Sequence, residues 1–347
     1  TVSLAAAKPG RVRPHGAPWV GSLHVGDIAM PAPVRGPVRH YLLDGRALGA
    51  LPEAMPESHK NSFGHVTIIG GAPGLSGAGH LAAAAALRAG AGLVSAAAPA
   101  GAVAAIKSGW PEIMTLALGE DGATAWPREV PESLRSLLSR STALAIGPGM
   151  GRGEDAAAFL AAVLELKERP PAVIDADALI LLARQRALFS RLTAHDILTP
   201  HPGEAAALLE TDSASVQADR SAALAALCDL GPMTVVLKGA GTLVGQASAP
   251  VFISPYAVPA LAMGGSGDVL AGCTAALLGR GGTKSGAALR AAGSAVALHA
   301  LAGRSLERDF PGRGCLASEL ADRLPHVRAS LAEQPQTGWE RRLPWTA

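Results

Sequence analysis

Glycine-rich turns recur at the carboxyl ends of short apolar runs, and this pairing constrains the fold more than any other feature. His65-Val-Thr-Ile-Ile69 runs into Gly70-Gly-Ala-Pro-Gly-Leu-Ser-Gly77. Ala143 to Ile146 runs into Gly147-Pro-Gly-Met-Gly151, and Met233 to Leu237 into Lys238-Gly-Ala-Gly-Thr242. Leu93 to Ala98 is a further strand, Ala172 to Asp175 ends in an acid, and Ile197 to Thr199 precedes the turn His201-Pro-Gly203. Helical patterning fills the intervals: His80 to Ala89, Glu154 to Lys167, a stretch through Arg186, one from Glu204, one opened by Gly264-Gly-Ser-Gly-Asp268 through Leu278, then Ala287 to Ala302 and Ala317 to Leu331. Such alternation predicts an α/β fold, a mostly parallel sheet with helices on both faces. Ligands of these sheets sit outside the carboxyl ends of the strands, where the glycine turns fall.

Composition narrows the function classes. Hydrophobic residues make up 49% of the 347 and charged residues 17%, enough for a sizeable core and against wholesale disorder. Lys and Arg number 30 against 28 Asp and Glu, and aromatics are 3%, so a stacked-ring, basic platform for nucleic acid is not expected. A bound anion must be held by local geometry. Cys228, Cys273 and Cys315 lie far apart with no Cys-x-x-Cys pair, which speaks against a disulfide framework or zinc site and for a reducing, cytoplasmic setting. The uncharged stretch from Ala89 to Ile106 is Ala and Gly with Pro99 inside; it reads as a strand with its flanks, not a membrane span. No charged segment precedes an apolar one at the start, so no signal peptide is expected.

Residues 1–37 are loop-rich and end in Pro31, Pro33, Gly36 and Pro37, the composition of a domain tail plus linker. Residues 38–332 carry the alternation, and 333–347, with Pro335, Gly338 and Pro344, read as a loose tail.

Asp268 is the most informative residue. A helix start carries unpaired N–H groups and about half a positive charge, and flanking glycines let a phosphate approach the backbone. Asp268 can be an N-cap, or a general base for a hydroxyl attacking a phosphoryl group. Lys238-Gly-Ala-Gly-Thr242 can offer phosphate donors, or be a hairpin turn with a surface lysine. The loop after Ile69 fits neither a Walker motif nor the dinucleotide fingerprint. Asp175 and Asp177 can hold a Mg²⁺ shell through water, or cap the following helix. Glu204 sits in a first helical turn where its charge is favourable, and His201 can be a turn residue donating to the backbone. On its Ala/Leu helix, His299 reads as a packed histidine.

Taken in order, these segments resemble the ADP/ATP-dependent NAD(P)H-hydrate dehydratase family of ribokinase-like fold. The matching pieces are Ser58-His-Lys60 with Gly64-His-Val, Gly70-Gly71 with Gly77-Ala78, and Ala86-Leu-Arg-Ala-Gly-Ala-Gly-Leu-Val94. Gly147-Pro-Gly-Met-Gly151, Asp175-Ala-Asp-Ala-Leu179, Thr199-Pro-His-Pro-Gly-Glu204, Lys238-Gly-Ala-Gly-Thr242 and Gly265-Ser-Gly-Asp-Val-Leu-Ala-Gly272 continue the series across residues 40–330. Lys8-Pro-Gly10 and Gly21-Ser-Leu-His-Val-Gly-Asp27 are similar to the end of an NAD(P)H-hydrate epimerase domain, with most of that domain missing. Departures are Asn61 and Gly79, where Gly and Ala are usual, Ser266 for the commoner Thr, and Ala257 in place of Asn.

The resemblance implies an enzyme, a hydro-lyase that repairs the S-form of hydrated NADH or NADPH. It would phosphorylate the C6 hydroxyl from ADP or ATP with Mg²⁺ and then eliminate phosphate. It implies Asp268 as catalytic base, an anion hole at Gly265, Ser266 and Gly267, and a nucleotide loop of Lys238, Gly239, Ala240, Gly241 and Thr242 with Gly267. Ala78, Gly79, Gly149, Gly151, His201 and Asp268 would line the hydrate pocket. A homo-oligomer, such as a tetramer, fits the family. The alternatives are a small-molecule kinase of the same fold, which releases a stable phosphoester, and a nucleotide-sensing module that does not turn over.

Overall fold

A computed structural model describes residues 1–4, 8–12, 16–21, 23–29, 40–43 and 55–332. The proline-rich linker and the tail expected at 333–347 lie outside these residues. β1 (Val2–Leu4) and β2 (His24–Gly26) pair in parallel as a small sheet of their own. The main sheet holds β3 (His40–Leu42), β4 (His65–Ile69), β5 (Leu93–Pro99), β6 (Met114–Leu118), β7 (Ala143–Ile146), β8 (Ala172–Ile174), β9 (Ile197–Leu198), β10 (Thr234–Leu237), β11 (Leu243–Gly245) and β12 (Val251–Ile253). Their order is β3-β12-β11-β10-β9-β8-β7-β4-β5-β6. All neighbours are parallel except the two pairs involving β11, which runs against the rest. The mostly parallel sheet expected from the alternation is what forms.

β4 is the topological switch. From it the chain adds β5 and β6 on one side, then β7 to β10 on the other, so a crevice opens at the carboxyl ends of β4 and β7. Strand side chains alternate between two cores. Val66, Ile68, Ala143 and Ala145 face a core with Ala82, Val269, Ala275, Leu298 and Leu320; Ile69, Leu144 and Ile146 face one with Leu134, Phe159, Leu179, Leu208 and Leu224. Burial on both sides explains why these strands read as unbroken apolar runs.

Two expectations are corrected. The strand expected between Ala89 and Ile106 is β5, but its trailing flank is regular structure: β5 ends at Pro99 and a helix, Ala100–Lys107, begins at once. Runs of alanine carry no apolar contrast, so the change of period is invisible in the pattern, while alanine's helix propensity decides the state after proline. The helix expected from His80 begins at Ser76 and runs to Arg88, taking in Gly77 and Gly79.

The helices Ser76–Arg88 and Ser266–Gly281 nearly touch. A Cβ on Gly272 would lie 1.9 Å from the Ala82 carbonyl oxygen. Only glycine permits this approach, and it fixes the start of one helix relative to the other. Gly272→Ala must push the two backbones apart, and a fall in unfolding free energy of about 1–3 kcal/mol or more is expected by denaturant titration. An unchanged midpoint would show that the helices have slack.

Candidate functional site

The strand ends deliver the expected residues to one corner. β8 leads to Asp175, β9 to Thr199 and His201, and β10 to Lys238. The helix Ser266–Gly281 brings Asp268 in from above, while β4 and β7 end in Gly70-Gly71 and Gly147–Gly151.

At the centre is Lys238. Its Nζ donates to Asp175 Oδ1 at 2.7 Å and lies 3.6 Å from Glu204 Oε2. The Thr199 hydroxyl donates to the same Asp175 oxygen at 2.7 Å. The lysine side chain is 16% exposed, and Asp175 is 1%. Burial pulls the ammonium pKa down, but Asp175 and Glu204, with Asp268 beyond, outweigh it and leave the group above the usual lysine range. Lys238–Thr242 is thus a hairpin turn between β10 and β11, as one reading had it, but its lysine is not on the surface. A Cβ on Gly267 would sit 3.4 Å from Lys238 Nζ, so the cation adjoins the helix start.

Asp268 is the third residue of its helix. Gly265 holds the N-cap position at φ +89°, and Asp268 makes no capping bond, so the cap reading fails. The left-handed N-cap requires glycine. A Cβ there would also strike the Leu81 side chain at 2.6 Å, so the helix Ser76–Arg88 packs against this helix start, while Gly79 of its first turn lies against Gly70 and Gly71. Asp268 is half-buried. Burial pushes its carboxyl up to about 7; Asp175, Asp177 and Glu204 add to the shift, and Lys238 opposes it.

Asp175 and Asp177 do not cap the following helix either. Ala176 is the N-cap residue, without a side-chain bond. Asp177 accepts from the Gly151 N–H at 2.9 Å and from Arg152 Nε at 2.6 Å, which pins the loop 147–151. That loop packs on the helix Ser76–Arg88: a Cβ on Gly149 would meet the Ala78 Cβ at 2.9 Å.

His201 does the reverse of what a turn donor would do. Its Nδ1 accepts from the N–H groups of Gly203 (2.9 Å) and Glu204 (3.2 Å), capping the helix Pro202–Leu209. Burial, then Lys238, lowers its pKa, which suits a ring nitrogen that must stay unprotonated to cap. Glu204 returns the bond, accepting from the His201 N–H at 2.7 Å. It is more than a favourable first-turn charge: at 3% exposure it is driven up to about 7 by burial, against the pull of Lys238.

The loop 238–242 has a support that sequence reasoning missed. Arg220 Nη2 donates to the carbonyls of Leu237 (3.0 Å) and Lys238 (3.2 Å), and Thr242 Oγ1 donates to the Gly239 carbonyl at 2.8 Å. Arg220 lies 18 residues upstream of Lys238 on a separate helix, Arg220–Cys228, and no spacing rule signals it.

Among the described residues no three His, Cys, Asp or Glu side chains converge to hold a metal ion. Asp175, Asp177 and Glu204 are already spent on protein donors.

A family model described as NAD(P)H-hydrate dehydratase matches residues 66–326. The chain belongs to the NAD(P)H-hydrate dehydratase family. It is 39% identical over 340 residues to the bifunctional NAD(P)H-hydrate repair enzyme Nnr of Moorella thermoacetica, covering 97% of this chain and 63% of that protein. Against the Coxiella burnetii repair enzyme the share of the relative is 52%, so the chain spans only part of these bifunctional proteins. An ADP-dependent (S)-NAD(P)H-hydrate dehydratase of Xanthomonas campestris is 34% identical over 281 residues, 81% of this chain and 93% of that one. The solved structure of the Bacillus subtilis ADP/ATP-dependent NAD(P)H-hydrate dehydratase, co-crystallised with ATP/Mg²⁺, superposes with a TM-score of 0.67 at 26% identity, over 84% and 98% of the two chains. A ribokinase-like protein of Enterococcus faecalis superposes at 0.71 and 22% identity, covering 85% of this chain and 97% of that one, and confirms the fold.

A half-buried carboxylate among acids destabilises the folded state once ionised. Its folded pKa lies above the unfolded value, so the folded protein holds the proton more tightly, and the cost grows as pH rises from about 4 to above 7. Asp268→Asn removes that cost. Its melting temperature is expected to exceed the wild type's by about 2–4 °C at pH 8, with the gap closing towards pH 4. A gap that is independent of pH would contradict the electrostatic cause.

Proposed function

We propose that the chain dehydrates the S-form of hydrated NADH or NADPH at the expense of ADP or ATP, with Asp268 as the base. What carries the reading is the meeting of three features: a carboxylate near neutrality, a glycine-built helix start and a lysine ammonium beside it.

Water is a poor leaving group, so the C6 hydroxyl must be activated. Asp268 takes the hydroxyl proton as the oxygen attacks the terminal phosphorus of the donor. The new O–P bond replaces the bond to the leaving AMP or ADP. The helix start at Gly265, Ser266 and Gly267 offers the phosphoryl oxygens its share of the helix dipole, the Ser266 N–H leaving the Met263 carbonyl that it reaches at 3.5 Å, and Lys238 adds a full charge. The ring nitrogen lone pair then breaks the C6–O bond and expels phosphate, and loss of a proton from C5 restores the dihydropyridine. Gly239 to Thr242 hold the donor nucleotide, and Ala78, Gly79, Gly149, Gly151 and His201 line the hydrate pocket. A Mg²⁺ ion brought in with the nucleotide would neutralise phosphate charge. Residues 1–37 are read as the end of an upstream epimerase domain, supported by an alignment to the bifunctional Moorella protein that reaches across 97% of the chain. Three free, buried cysteines suit a cytoplasmic setting. Among the described residues no helix is long and apolar enough to cross a membrane.

The test is an incubation with the hydrate and either ADP or ATP. Recovered near-UV absorbance of the dihydronicotinamide, with one inorganic phosphate per turnover, is expected. A stable phosphoester without recovered absorbance would make the protein a kinase, and nucleotide binding without turnover a sensor. Asp268→Asn should lower turnover about 10²–10⁴-fold. Because the base must be ionised, kcat/KM should rise with pH through an inflection near 7; a profile flat from pH 6 to 8 would remove Asp268 from the role.

A further inference from the structure

His299 is buried at 7% exposure on the helix Ala287–Asp309, and the steps above make no use of it. Its Nε2 lies 2.9 Å from the carbonyl oxygen of Ser266. A carbonyl only accepts, so Nε2 carries the hydrogen and donates. Burial pushes the ring down to about 4, which keeps it neutral.

The acceptor's position gives the contact its meaning. The Ser266 carbonyl and the Gly267 N–H belong to one planar trans peptide and point in opposite directions. Drawing the carbonyl into the protein therefore turns the Gly267 N–H outward. The peptide adjoins the corner: Lys238 Nζ lies 3.4 Å from the Cβ position of Gly267. A donor on the carbonyl also polarises the peptide and strengthens its N–H as a donor. The rest of the turn is held separately: the Ser266 hydroxyl donates to the Leu261 carbonyl at 2.8 Å. As the first helical residue, Ser266 also offers this carbonyl to the helix ladder, so His299 is a second donor that tightens the orientation of the peptide.

We propose that His299 is a positioning residue that aims and polarises the Gly267 amide at the migrating phosphoryl group, acting through the Ser266–Gly267 peptide from outside the crevice. This rests on the dehydratase reading for what migrates, but not for the aiming itself.

The test compares His299→Leu, which fills the space without a donor, with His299→Gln, whose amide nitrogen reaches the same carbonyl. If the wild type turns over, the Leu variant should lose about 10–100-fold in kcat, since losing one anion-hole donor outright costs about 10²–10³. KM for hydrate and nucleotide should stay within about two-fold, and the Gln variant should return to within about three-fold of wild type. A second readout does not need turnover. In protein labelled with ¹⁵N-glycine, adding ADP should shift the Gly267 amide proton downfield in the wild type and the Gln variant, and much less in the Leu variant. If the wild type proves inactive, the dehydratase reading falls while this spectrum still decides the aiming. Equal kcat in wild type and Leu variant, equal loss in both variants with a matching loss of melting temperature, or an ADP shift indifferent to residue 299 would each overturn the proposal.

Discussion

The site depends on one ammonium group among carboxylates. Lys238 sits where β10 ends, bonded to Asp175 and close to Glu204, with Asp268 across from it. Without that cation, three buried or half-buried acids would face one another in a medium that screens poorly, and the corner could not hold. With it, Asp175 and Glu204 are tied down and the charge left over presses on Asp268. Burial, with Asp175, Asp177 and Glu204 behind it, raises the proton affinity of Asp268, and Lys238 holds that rise in check.

The same corner shows why backbone contact matters more than side-chain bulk here. The helix bearing Asp268 lies against the helix bearing Ala78 and Gly79 through Gly272, and its first turn is closed by the left-handed Gly265. Missing Cβ atoms let the backbones approach one another where side chains would hold them apart. Charged partners are then supplied from neighbouring strand ends, at distances that the parallel registers of β8, β9 and β10 fix.

Much of this was legible in the chain itself, for a physical reason. A parallel strand buried on both faces must be apolar, and its end must turn, so His65–Ile69 followed by Gly70 or Thr234–Leu237 followed by Lys238 announces both the strand and the site. Other parts were not legible. The Pro99–Ala100 junction switches from strand to helix within one alanine-rich stretch. Asp268, Asp175 and Asp177 all precede or begin helices, where capping and chemistry call for the same residue types, and only the hydrogen bonds separate the two. Arg220 and His299 act on backbone carbonyls far along the chain, at Lys238 and Ser266. Such contacts depend on tertiary packing and leave no spacing to read.

The claim that a hydroxyl is phosphorylated before it leaves is open to an isotope measurement. With ¹⁸O placed in the C6 hydroxyl of the hydrate, the account requires the C6–O bond to break after the O–P bond has formed. Mass spectrometry should therefore find one ¹⁸O atom in each inorganic phosphate released and none in water. Label recovered in water, with unlabelled phosphate, would mean that the nucleotide is hydrolysed separately and that the central claim is wrong.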